Sequence, residues 1–330
     1  MKAFVVTRYG PDGLEAADVA EPRLGPRDVL IDVRAASINP LDRMVRDGEF
    51  KLLLGYKPPF VLGHDLSGVV TRVGAQVNEF APGDEVYARP RDLRIGAFAE
   101  RIAVDVDDVA LKPVSLTFAE AAAVPLVALA AWQALVDVAA VRPGQKVLVH
   151  AGAGGLGSTV IQVAEYLGAH VATTVSTKDI DKARALGADE VVDYKTQDFA
   201  AVLSGYDVVL DSLGEESLAK SLTVLRPGGL AISVVGPPDP GLAAQLGRPL
   251  LKPVMALLSA KIRRRARKLG VRYAFLFMRA SGQQLATISS LYDAGDLRPV
   301  LDRTFPFAQT LEAMAYVEQG KANGKVVVTR

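Results

Sequence analysis

The 330-residue chain contains no cysteine. Disulfides, thiolate nucleophiles and cysteine-ligated zinc or iron–sulfur centres are therefore excluded by composition. An excess of one charge is also absent: 38 lysines and arginines stand against 37 aspartates and glutamates. No overall field draws such a chain to nucleic acid or to a membrane surface, and neither is expected as a partner. Long apolar runs are missing as well. The most apolar tract, Ala119 to Val141, is interrupted by Glu120, Pro125, Gln133 and Asp137, and it reads as a buried helix pair rather than a span. The opening "MKAFVVTRYG" has no charged leader, long apolar core or small-residue cleavage site, so an unprocessed, cytoplasmic chain is expected.

What is present divides by texture. With 50% of its residues apolar, a chain of this length suits two domains with separate cores. Through about residue 110 the sequence consists of short β-branched runs punctuated by Gly, Pro and Asp, which predict a barrel-like β module. From about residue 117, helix-length periods alternate with apolar runs such as "KVLVHA", "HVATTV", "DVVLDS" and "GLAISVVG". That alternation predicts βαβ units and a doubly wound parallel sheet. The closing strand "KVVVTR" is expected to return to the β-rich module, because one strand cannot bury its faces alone. Residues 237 to 270 form an unusually long connection ending in the basic run "KIRRRARKLGVR". This run suits either an anionic surface or, more simply, a solvated helix face with Ile262, Ala266 and Leu269 turned inward; the whole segment also suits a cap or subunit contact.

The pattern Gly152, Ala153, Gly154, Gly155, Leu156, Gly157 matches G-x-G-x-x-G and lies between the strand "KVLVHA" and the helix "STVIQVAEYLGA". In that context the glycines permit a tight turn, close backbone approach to a diphosphate, and a helix N-terminus facing the anion. After the next strand, an acid would bond the adenine ribose 2′-hydroxyl and repel a 2′-phosphate. The sequence instead offers Ser176, Thr177 and Lys178, with Lys182 following and Tyr194 after the next strand. Hydroxyls and ammonium groups suit a phosphate dianion, so NADPH is expected over NADH. Solvated helix-start charge is the alternative for both lysines, and Asp179 and Asp181 read as charges at a helix N-terminus.

Several segments together resemble the medium-chain dehydrogenase/reductase superfamily, and within it the zinc-independent quinone oxidoreductases. They are "AASINPLDRMVRDGEF", "VLGHDLSGVVTRVGAQVNEFAPGDEVYA", "AAAVPLVALAAWQAL", "VVLDSLGEESLAKSLTVLRPGGLAISVVG" and "GKVVVTR". The resemblance implies an α/β protein with a GroES-like substrate domain at residues 1–121 and 297–330, and a Rossmann cofactor domain at 122–296. The implied active site lies at the C-terminal ends of the sheet strands, in the cleft of the fold.

Asn39 stands where related alcohol dehydrogenases place a zinc-binding cysteine, and His64 with Asp65 stands at their Gly-His-Glu position. One histidine and one carboxylate are too few for a dedicated zinc site, so no metal is expected. His150 and His170 read as packing residues, and His64 as structural. By family position Asn39 and Asp42 border the nicotinamide ribose and substrate, with Asn39 the better donor. A tyrosine common in the family after that Asp is replaced by Arg43 and Met44, which leaves Tyr56 as a substitute proton donor or an ordinary loop residue. Further cofactor contacts implied by position are Leu213, Gly214, Val235, Gly236, Phe275, Leu276, Phe277 and Lys325.

The implied activity is NADPH-dependent hydride transfer to a quinone or α,β-unsaturated carbonyl by a homodimer. The rival is a cofactor-binding but catalytically idle structural or interaction protein.

Overall fold

The computed structural model describes residues 1–51 and 53–330. The chain divides into two compact units, Met1–Leu129 with Arg279–Arg330, and Ala130–Met278.

The first unit is built on the strand Asp28–Ile38, whose apolar residues are nearly all buried. It pairs antiparallel with Asp65–Val73, Arg101–Asp105 and Lys325–Thr329. A smaller sheet joins Leu14–Asp18, Lys2–Val6 and Phe60–Val61. Two registers position the site. Val326 lies opposite Ile38, which carries Lys325 to the end of the long strand beside Asn39. Ser37 lies opposite Asp65. The helix Gly282–Ala294 packs within this unit, although the sequence assigns it to the cofactor domain ending at 296. A Cβ on Gly282 would stand 2.2 Å from the Val109 carbonyl oxygen, so only glycine lets the helix start approach that strand so closely. Tyr87 Oη donates to the Leu285 carbonyl at 2.6 Å from the buried side of the contact.

The second unit holds a six-stranded sheet ordered Glu190–Asp193, His170–Val175, Lys146–Val149, Tyr206–Asp211, Leu225–Ser233, Arg272–Phe275. Every pairing in it is parallel. Val147, Leu148 and Val149 are fully buried, as expected for a central strand covered on both faces. Chain order reverses between Lys146–Val149 and Tyr206–Asp211, the kind of switch point where such sheets bind ligands at their C-terminal edge.

The connection after residue 236 forms helices Pro240–Gln245, Lys252–Leu258 and Ala260–Lys268. Ile262 and Ala266 join the core cluster containing Leu218, Leu222 and Val271. Leu269 does not turn inward as the sequence suggests but is 42% exposed. It caps the helix, and Gly270 at φ +67 redirects the chain before the helical period brings Leu269 round. No helix among the described residues is long and apolar enough to cross a membrane.

Candidate active site

In the β-rich unit, the strand registers gather five polar side chains into one buried cluster: Asn39, Asp42, His64, Asp65 and Lys325. Asn39 precedes the helix Pro40–Arg46, and its backbone N–H donates to Asp42 Oδ2 at 2.7 Å. Asp42 Oδ1 lies 2.6 Å from His64 Nδ1. A carboxylate beside Nδ1 selects the tautomer protonated there. His64 Nε2 is left buried and without a partner. Asp65 Oδ2 accepts from Ser37 Oγ at 2.8 Å and Asn39 Nδ2 at 2.9 Å, and Oδ1 accepts the Leu126 N–H at 2.8 Å. Lys325 Nζ donates to Asn39 Oδ1 at 2.6 Å and stands 3.3 Å from Asp65 Oδ2.

The cluster therefore offsets two buried carboxylates with one ammonium, one imidazole and several neutral donors. This is the condition under which buried charge is tolerated.

Tyr56 has no hydrogen bond to this cluster. Its ring stacks on Phe60 at 5.1 Å and its oxygen accepts the Leu93 N–H at 3.0 Å. Burial pushes its phenol well above the usual range. A cavity of about 860 Å³ within this unit is bordered by Asp107, Asp108, Leu111, Gly282 and Ser289 and by none of the expected site residues.

In the second unit, the glycine-rich turn follows Lys146–Val149, with Ala151 at φ 54 and Gly154 capping the helix Gly155–Tyr166 without a side-chain hydrogen bond. A Cβ on Gly152 would lie 2.1 Å from Thr173 Oγ1, and one on Gly157 2.2 Å from the Ala151 carbonyl oxygen. Helix and strand are thus in backbone contact, and the uncapped first turn presents N–H groups to an anion. Ala153 is buried, Leu156 half-buried, and the Ala153 carbonyl accepts from Lys182 Nζ at 3.2 Å. A dinucleotide's diphosphate fits this cradle.

The ribose corner departs from a purely neutral-to-cationic pocket. Ser176 Oγ donates to Asp179 Oδ2 at 2.5 Å and Thr177 Oγ1 to Asp193 Oδ2 at 2.6 Å. Both hydroxyl protons are spent on carboxylates. Asp179 stands at the N-terminus of the helix Ile180–Ala185, as the sequence suggests, and is at the same time a buried partner of Ser176. The corner retains Lys178, exposed and without an acidic partner among the described residues, and Tyr194, 60% exposed.

The remaining expected contacts follow the C-terminal ends of the next strands. Leu213 and Val235 are 58% and 45% exposed, which leaves apolar surface at this sheet edge. Gly214, at φ 108, precedes the helix Glu215–Val224. Phe275 ends its strand, with its N–H on Asp239 Oδ2 at 2.9 Å. The Leu276 N–H donates to the Ser233 carbonyl at 2.9 Å, and the Phe277 carbonyl accepts from Gln245 Nε2 at 2.6 Å.

Sequence reasoning missed the hub beneath these loops. Asp211 accepts from the Gly214 N–H at 3.3 Å and Ser233 Oγ at 3.1 Å, and Ser233 Oγ accepts the Gly236 N–H at 2.8 Å. Burial raises the Asp211 carboxyl above the ordinary carboxylate range. The available signal was an acid closing the apolar run "VVL" of the strand "YDVVLD".

A nucleotide cradle at the C-terminal edge of a parallel sheet, in a chain that also carries a GroES-like β module, defines a nicotinamide-dependent oxidoreductase. Comparison with known proteins agrees. Residues 25–114 match the alcohol dehydrogenase GroES-like domain, and residues 186–328 match the zinc-binding dehydrogenase family. The chain is 35% identical to the mitochondrial NAD(P)H oxidoreductase RTN4IP1 of Mus musculus, over 99% of this chain and 89% of the relative. It is 33% identical to the chloroplastic NADPH-dependent alkenal/one oxidoreductase of Arabidopsis thaliana, over 99% and 79%. Among solved structures, the quinone oxidoreductase from Coxiella burnetii superposes with TM-score 0.85 at 29% identity, covering 100% of this chain and 99% of that one. The chain belongs to the medium-chain dehydrogenase/reductase superfamily, in its zinc-independent quinone oxidoreductase-like family.

The residues present do not fit the zinc that one family description implies. No group of three or more His, Cys, Asp or Glu among the described residues is placed to hold a metal. His64 Nδ1 is taken by Asp42, Asp65 is saturated with donors, and the Lys325 ammonium already stands beside it.

Proposed function

We propose that this protein uses NADPH to reduce quinones and α,β-unsaturated carbonyl compounds, with no metal in the reaction. The observation that carries the reading is the glycine cradle, where added Cβ atoms would strike Thr173 and the Ala151 carbonyl within about 2 Å. When bound, NADPH supplies the hydride. The turn at residues 152–157 and the first turn of the following helix hold its diphosphate. Lys178, with Ser176, Thr177 and Tyr194 around it, receives the 2′-phosphate, the cation supplying what the committed hydroxyls do not. Leu213, Gly214, Val235, Gly236, Phe275, Leu276 and Phe277 hold the nicotinamide end, and the exposed apolar members exclude water once covered.

Conjugated acceptors suit a site without a Lewis acid, because hydride addition to a quinone or to the β-carbon of an enone leaves a delocalised oxyanion that needs oriented donors. Asn39 and Lys325 are the donors proposed for that oxygen or the adjoining ribose. Lys325 has three N–H bonds and two acceptors within the cluster, Asn39 Oδ1 and Asp65 Oδ2. Asp42 positions Asn39 through its backbone N–H. Tyr56, anchored at Leu93 and raised by burial, supports its loop in this reading rather than donating a proton. A cytoplasmic homodimer is part of the proposal; the strand Arg272–Phe275 pairs on one side only and offers an edge for it.

The test is steady-state oxidation of NADPH and NADH with a panel of quinones and short alkenals. Turnover with either acceptor class, faster with NADPH, is expected. Tight binding without turnover across the panel would favour the idle binder, and dependence on an added divalent ion would overturn the metal-free reading.

A further inference from the structure

We propose that the outer face of residues 249–268 docks this protein onto an anionic lipid bilayer. The segment has two opposed faces. Met255, Ser259, Ile262 and Ala266, at helical spacing, are buried. On the other side Leu250, Val254, Leu257 and Leu258 are 91%, 53%, 76% and 57% exposed. Spacings of four, three and one residue place these four on a single stripe, and nothing within their unit covers it. Single exposed leucines need no explanation, but a contiguous stripe marks an interaction surface.

The stripe leads directly into the helix Ala260–Lys268, which carries Lys261, Arg263, Arg264, Arg265, Arg267 and Lys268. Elsewhere arginines have acidic partners, as in Arg27–Asp107, Arg101–Glu21 and Arg226–Asp207. These six cations have none among the described residues, and the sequence holds no aspartate or glutamate between Asp239 and Asp293 to provide one. The charge is therefore local, although the whole chain is balanced.

An apolar stripe continuous with an unpaired cationic face matches a bilayer surface, where leucines enter the acyl boundary and cations stay with the lipid phosphates. Nucleic acid would engage the cations but leave the leucines in water. A second copy of the chain would bring the same uncompensated cations to a shared interface. Charge complementarity thus selects an anionic membrane, contrary to the expectation from overall charge that no membrane is involved. The inference is independent of which acceptor the enzyme reduces.

Flotation of the full-length protein with vesicles of phosphatidylcholine alone, or of phosphatidylcholine mixed with phosphatidylglycerol, tests this. Binding to the mixed vesicles only, reversed by high salt, is expected. A variant combining Arg264→Gln and Arg265→Gln should bind about twenty-fivefold more weakly, at about fivefold per cation. One combining Leu257→Gln and Leu258→Gln should also lose retention, while both keep wild-type turnover of a water-soluble quinone. Failure to float with the anionic vesicles overturns the proposal, as does binding insensitive to the leucine changes. So does dissociation of a dimer by the leucine changes in sedimentation equilibrium, or binding of duplex DNA in place of vesicles.

Discussion

Replacing Lys325 by methionine keeps an apolar stem at the start of the closing strand and removes only the ammonium from the buried cluster. Asn39 Oδ1 then loses a donor at 2.6 Å and Asp65 Oδ2 its cation at 3.3 Å. Breaking a buried pair typically costs about 3–5 kcal/mol, because the surviving charge is left uncompensated. Here Asp65 keeps Ser37 Oγ, Asn39 Nδ2 and the Leu126 N–H, which puts Lys325→Met at the lower end, about 3 kcal/mol. For a unit of this size, that corresponds to a melting temperature lower by about 6–12 °C. Asp65→Asn should cost more, since it strands an ammonium whose remaining acceptor in the cluster is Asn39 Oδ1. The double variant should recover roughly 2 kcal/mol of the summed loss. With the ammonium gone, the Asn39 amide is free to turn its oxygen toward the new amide. Thermal and urea unfolding of the four proteins, followed by a probe in the β-rich unit, measure the cycle. Additivity within about 0.5 kcal/mol, or single losses under about 1 kcal/mol, would refute the claim that these two charges sustain each other.

Gly157→Ala puts a Cβ 2.2 Å from the Ala151 carbonyl oxygen and should weaken nucleotide binding about tenfold or more, by the overpacking cost of forcing the turn open; an unchanged dissociation constant in fluorescence titration would show that the turn tolerates it. Lys178→Ala should weaken NADPH about tenfold through the lost charge-assisted hydrogen bond and leave NADH untouched, which calorimetry with both nucleotides checks. His150, fully enclosed and held by Thr174 and Ser221, is lowered by burial from 6.5 to about 4. The unfolded chain takes up a proton near pH 6.5 whereas the folded one resists until about 4, so stability falls as pH drops through that window, by on the order of 3 kcal/mol. His150→Gln should flatten that part of the pH profile, and a profile superimposable on wild type would count against a neutral buried imidazole.

Periodicity carried most of the fold because both modules obey simple spacing rules: runs such as "VLV" at residues 147–149 are uniformly apolar where helices cover both faces, and the glycine-rich turn sits between strand and helix as its mechanism demands. What periodicity could not carry is which polar groups meet across long separations. Lys325 and Asn39 are 286 residues apart in the chain, and their bond exists only because the closing strand pairs antiparallel with Asp28–Ile38 in one particular register. The same holds for Asp42 and His64, which sequence reasoning treated separately and the fold joins at 2.6 Å.

The ribose corner shows a subtler limit. Ser176 and Thr177 read as phosphate donors when only their neighbours in sequence are considered. Asp193, sixteen positions from Thr177 and on the adjacent parallel strand, takes the Thr177 proton. Hydroxyl-rich sequence therefore does not by itself define an anion site; the cation that remains unpaired after the fold has matched its neighbours does. Among the described residues, that criterion supports proposing Lys178 as the contact for a phosphorylated cofactor and the helix Ala260–Lys268 as a cationic surface whose partner lies outside its own unit.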